Sequence, residues 1–181
     1  ALAGFELLPA RGFVGSKKCG ECHQEVYKFW QTTPHSHALE TLVNGYEDPK
    51  TGKKIAAGKH VNPDCVSCHT TGFFNTTGYD GTDATKHLGG NGCENCHRPG
   101  SEHVKITSKL DFDAKELRAA KEMMHLPLQT ETNNVCVRCH DIENSPKFVL
   151  EKFWEEVDHG GQAADDKENW PKIRELLRNK K

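Results

Sequence analysis

Several things are scarce in this sequence, and each shortage closes off a class of function. No run of 18 or more apolar residues occurs, so no segment reads as a transmembrane helix. Neither sign of charge dominates. Lys and Arg number 24 against 26 Asp and Glu, the formal net charge is -2, and no long run of one sign appears, which leaves no basic surface for nucleic acid. Apolar residues make up only 35% of the 181 residues and charged ones 28%, with mean hydropathy -0.75. That is lean for a core that must offset chain-ordering entropy by side-chain burial alone. Something other than side chains has to fill the middle.

No cysteine is left over. The eight fall as Cys19/Cys22, Cys65/Cys68, Cys93/Cys96 and Cys136/Cys139, each pair separated by two residues. The next residue is a histidine every time: His23, His69, His97 and His140. With 11 histidines in the chain, four such hits by chance would be about a one-in-a-hundred-thousand event, and Cys-x-x-Cys-His is the attachment signature of c-type haem. Two thiols add across the haem vinyl groups as thioethers, and the short loop places the adjacent histidine to ligate the iron. The expectation is four covalently attached haems c (iron), in motifs one to four along the chain.

Paired Cys-x-x-Cys knuckles also build Cys₄ zinc sites. Four pairs would make only two of them and leave the four histidines unexplained. Structural disulfides fit less well, because cysteines so close in a short turn seldom bond each other. Covalent haem attachment takes place outside the cytoplasmic membrane. The opening Ala1-Leu2-Ala3-Gly4 reads as a mature end after signal removal, so the expected location is periplasmic or extracellular.

The motifs punctuate a single domain over 1-181, with an N-terminal arm at 1-14 and a helical tail at 162-181. The expected class is mainly α with long loops, organised around four stacked haems. Ser16 opens a capped helix running through motif one to Trp30 and ended by Pro34. Residues 44-64 and 72-92, rich in Gly, Asn, Thr and Asp, read as loops. Helices are expected over Ala114 to His125, Pro146 to His159 and Pro171 to Asn179, with Ser145-Pro146 as N-cap and first residue and Gly160-Gly161 as a stop that leaves His159 on a last turn. The aromatics Tyr27, Phe29, Trp30, Phe73, Phe74, Phe148, Phe153 and Trp154 read as packing residues.

Three stretches carry a family resemblance. They are Gly15-Ser-Lys-Lys-Cys-Gly-Glu-Cys-His-Gln with Trp30 and His35-Ser-His-Ala-Leu-Glu-Thr-Leu42, then Asp64-Cys-Val-Ser-Cys-His-Thr-Thr-Gly-Phe73, and Gly92-Cys-Glu-Asn-Cys-His-Arg-Pro-Gly-Ser-Glu-His103. Together they resemble the tetraheme cytochrome c-554 family. The resemblance implies a mostly helical fold, haems in stacked pairs, distal ligands supplied from far along the chain, and an open second haem. By position it implies distal ligation of haem three by His35, haem one by His103 and haem four by His159. For the second haem the spare histidines His87, His60 and His37 are candidates, with Met123 and Met124 as weaker ones and His87 favoured over an open site.

Three functions remain in view. The first is an electron carrier with mostly bis-histidine haems, working between donor and acceptor proteins. The second is self-association into an extracellular filament, and the third is nitric oxide or other nitrogen-oxide reduction at an open haem. No Cys-x-x-Cys-Lys site and no Ser/His/Asp or carboxylate constellation stands out, so a carrier is favoured over an enzyme and no catalytic residue is assigned.

Overall fold

The computed structural model describes residues 11-47, 49, 52-109, 111-126 and 135-167. Its helices are short because each attachment motif imposes its own turn. Motif one lies across the end of α1 (Ser16–Cys19) and the turn leading to α2 (Gln24–Gln31). There follow α3 (Ala38–Asn44) and a small antiparallel hairpin, β1 (Tyr46–Glu47) with β2 (Lys54–Ile55), in which Tyr46 pairs with Ile55. Motif two is carried by α4 (Pro63–His69), which starts cleanly. Asn62 accepts a hydrogen bond from the Asp64 N–H, and Pro63 occupies the first turn, where no N–H is needed.

Motif three is itself a helix, α5 (Cys93–His97), and α6 (Ser101–Thr107) follows it and packs against α7 (Ala114–Met123). A reciprocal Asp113/Glu116 capping box opens α7. Motif four begins in a 3₁₀ turn at Cys136–Arg138, and α8 (Leu150–Trp154) precedes a further helix described over 160-167.

The mainly helical class is as expected, but five local expectations change. The helix through motif one is broken after Cys19, where the Tyr27 ring packs so closely on Gly20 that a Cβ there would lie 2.6 Å from it. Ser16 is no cap: its hydroxyl accepts instead from the Cys93 N–H across the fold at 3.1 Å. The expected helix over 146-159 shrinks to α8, because Ser145 Oγ is taken by His140 Nδ1 at 3.1 Å rather than by a helix start. Gly160 opens a helix rather than stopping one, and the His159 carbonyl accepts the Ala163 N–H, so His159 lies at a helix start. Part of 44-64 forms the hairpin. The expected helix at 171-179 and most of the arm at 1-14 lie outside the described residues.

The polypeptide makes little apolar core of its own. Among the described residues only Leu42, Val66, Leu88 and Ala120 are buried hydrophobics. What knits the loops together is polar. Thr71 Oγ1 donates to the Gly90 carbonyl and accepts from the Gly92 N–H, both at 3.0 Å. Glu94, 2% exposed, accepts from the N–H groups of Val14, Gly15 and Gly100 at 2.7 to 3.0 Å. That buried carboxylate fastens the start of α1 to the motif-three helix.

Candidate functional site

The four motifs meet through their cysteines. Cys19 of motif one shares a hydrogen bond with Cys93 of motif three, which holds the Cys19 thiol pKa up and draws Cys93 down to about 7. Cys68 of motif two touches motif four, with its Sγ 3.9 Å from the Arg138 carbonyl oxygen. Burial, then the Cys68 thiol, pushes Cys139 up to about 12. Burial, then Cys136, pushes Cys96 up to about 11, so motif three neighbours motif four. Motif three therefore neighbours motifs one and four, its Asn95 side chain donates to the Thr70 carbonyl beside motif two at 2.9 Å, and motif four also touches motif two.

Histidines from distant segments face three of the four motif histidines. The ring centroids of His23 and His103 are 6.4 Å apart, those of His35 and His140 6.0 Å, and those of His97 and His159 5.8 Å. Their planes differ by 27°, 62° and 70° respectively. Two imidazoles on opposite sides of one metal, each bonded at about 2.0 Å, would put their centroids about 6 Å apart.

The tautomers suit that use. The Nδ1–H groups donate to backbone carbonyls, His69 to Ala38 at 2.6 Å, His97 to Met124 at 2.9 Å, His103 to Ala120 at 3.0 Å and His159 to Val157 at 2.9 Å. Each leaves Nε2 with its lone pair free for a metal. Desolvation lowers the pKa of His23, His35, His97 and His140, and so favours the neutral, ligating ring. The Phe148 ring lies nearly parallel to that of His140 at 4.7 Å, with Phe153 edge-on at 5.4 Å, which fixes the His140 plane.

These placements correct the expected order. His103 lies beside His23, but His35 faces motif four rather than motif three, and His159 faces motif three rather than motif four. The reason is local. The His35 carbonyl accepts the Asn91 N–H at 2.8 Å and Trp30 Nε1 donates to the Asn91 carbonyl, so the backbone of this turn is used up against the approach to α5 and the ring points elsewhere.

Among the described residues no imidazole faces His69 as those three face their partners. The favoured His87 is exposed and turns its ring toward Gly15, and His60 is exposed in the 3₁₀ turn Lys59–Val61. His37 uses both nitrogens, Nδ1 with Glu40 and Nε2 with the Gln31 carbonyl. Met124 contributes its carbonyl to His97. His69 instead borders an open cavity of about 200 Å³ also lined by Tyr46, Lys53, Ile55 and Asn144.

Comparison with known proteins decides the family. The model of the family "Cytochrome c554 and c-prime" matches residues 18-98. Cytochrome c-554 of Nitrosomonas europaea is 31% identical over 168 residues, covering 86% of this chain and 71% of the relative. The chain belongs to the cytochrome c-554 family. No solved structure matches it.

As a member of the cytochrome c-554 family, the chain is a c-type cytochrome that carries covalently bound haem c and transfers electrons. The donor set fits that group. Among the described residues no cluster of three or more His, Cys, Asp or Glu could hold a metal ion unaided. The facing imidazoles offer two opposed ligands, and a porphyrin supplies the other four. The sparse apolar core leaves room for such a macrocycle. Sequence reasoning missed the carbonyls of Ala38, Ala120, Met124 and Val157 that orient the imidazoles, since a backbone acceptor has no residue-type signal.

Proposed function

We propose that this chain is a tetraheme electron carrier, a single domain over 1-181 that takes electrons from one redox protein and passes them to another outside the cytoplasm. The observation that carries the reading is the set of three facing histidine pairs, each joining one motif histidine to a histidine from a distant segment. Haem iron would supply the one-electron ferric/ferrous couple. The protein's contribution is to tether, orient and enclose. Cys19/Cys22, Cys65/Cys68, Cys93/Cys96 and Cys136/Cys139 anchor the groups, with His23, His69, His97 and His140 as proximal ligands. His103, His159 and His35 close motifs one, three and four.

A closed pair of imidazoles holds both oxidation states in nearly one geometry, which suits outer-sphere transfer. The cysteine contacts and the bond from Asn95 to the Thr70 carbonyl bring the four attachment segments against one another rather than leaving four isolated sites. Haem quantification and intact mass together with a redox titration test the proposal. Four haems per chain and low-potential components support it. Fewer haems, or no low-potential component, would count against it.

The surroundings of His69 favour a second reading for motif two. With Nδ1 held by Ala38 and no imidazole opposite among the described residues, an iron held by His69 would keep a position for a small ligand such as nitric oxide. The carrier reading does not depend on it. A filament is less favoured, because three motif histidines already find partners within the chain. Sedimentation at high concentration tests this, with a monomer expected.

A further inference from the structure

The helix α2 begins directly after His23, and its own N-cap residue, His23, makes no side-chain cap. The N–H groups that a Ser or Asp cap would satisfy are instead taken by a residue far along the chain. Asp166 Oδ1 accepts from Glu25 N–H at 2.9 Å and Oδ2 from Val26 N–H at 3.2 Å. Asp166 is 4% exposed and belongs to the helix over 160-167, which starts just after His159. A carboxylate is a costly thing to bury unless its environment answers its charge. Here two backbone donors and the positive end of α2 do so.

The same carboxylate is felt by motif one. Its two acceptor bonds end on the N–H groups of Glu25 and Val26, two and three residues after His23. Its neighbours in the motif are Lys18 and Glu21, which form an exposed pair with each other at 2.6 Å and so largely cancel. Among the described residues Asp166 is thus the buried carboxylate nearest along the fold to His23, held on the helix that His23 begins. In a low-dielectric setting such a charge acts over several ångströms with little screening.

We propose that Asp166 is a positioning residue for haem one. It caps the helix that follows His23, locks the segment bearing His159 to motif one, and selectively stabilises the oxidised form of haem one. This rests on His23 and His103 being the axial ligands of that haem. The device differs from axial-ligand choice, because it sets the potential of one haem from a helix that also positions a ligand of another.

Asp166→Asn keeps the shape and an acceptor for the α2 N–H groups but deletes the charge. The test is an EPR-monitored potentiometric titration of the intact holoprotein, with haem one resolved by its own low-spin signal. The expected result is an upward shift of the haem-one potential alone, with the oxidised-to-reduced ratio at fixed potential falling about tenfold, which is about 59 mV for one electron. Asp166→Ser, which retains a short acceptor, serves if the Asn variant does not accumulate. An unchanged haem-one potential with a lowered Tm would show a purely structural cap and overturn the proposal, as would an equal shift at every haem. If haem one of the unaltered protein is not low-spin, it is the ligand assignment beneath the proposal that fails, before any variant is compared.

Discussion

The imidazole of His35, in the turn after α2, lies with its centroid 6.0 Å from that of His140, more than a hundred residues further along the chain. The His35 backbone is hydrogen-bonded to the approach to motif three, and its ring pairs with motif four. Proximity of backbone and aim of side chain have parted company here.

This gives a variant test. His35→Ala opens the iron of motif four, and a high-spin ferric centre there broadens the ring resonances of Phe148 and Phe153, which pack on His140. His159→Ala opens motif three, leaves those phenylalanines alone and perturbs Met124, whose carbonyl holds His97. NMR with labelled Phe and Met reads both. Exchange of the two patterns would restore the order implied by the family resemblance.

The ring planes make a separate prediction. His23 and His103 differ by 27°, whereas the other two pairs are splayed by 62° and 70°. Near-parallel imidazoles give an ordinary rhombic low-spin EPR signal, and near-perpendicular ones a more anisotropic signal with a larger maximum g-value. One of the first kind and two of the second are expected. Three alike would mean that the rings turn when the protein is loaded.

Glu94 is buried inside the motif-three sequence and accepts from three backbone N–H groups in two other segments. Glu94→Ala strands those donors, and the expected loss is about 3 kcal/mol. The check is a large fall in Tm of the holoprotein, with Glu94→Gln falling less. A Tm unchanged by either substitution would remove Glu94 from the account of stability.

The Asp80 turn offers a pH test. Hydrogen bonds from Thr85 and Thr82 lower the Asp80 pKa to about 2. A carboxylate whose folded pKa is depressed contributes stability above its unfolded value, near 4, and that contribution is lost as pH falls through about 2. Residues 80-85 should therefore keep their structure below pH 4. An Asp80 carboxyl titrating near 4 by NMR would contradict the hydrogen-bonded turn.

Cysteine spacing makes covalent haem attachment legible in the sequence, because Cys-x-x-Cys-His states its chemistry within five residues. The capped α7 was equally legible, since Asp113 and Glu116 act locally. What could not be read were relationships that depend on where a loop goes. His35 and His159 differ in partner from expectation through backbone bonds of Asn91 and the helix start at Gly160. Ser145, a plausible cap by residue type, is spent on His140. Asp166 satisfies α2 from a region that composition marks only as charged.

The carrier proposal requires four haems, three of them with irons closed by two imidazoles, and the second reading adds an open position at His69. Low-temperature EPR with spin counting on the oxidised protein, alongside haem quantification, tests it most directly. Four haems per chain are expected, three low-spin, with a high-spin signal near one haem's share that changes on adding nitric oxide. Four low-spin signals and no response to ligand would contradict it, and would mean that a sixth ligand closes the iron at His69.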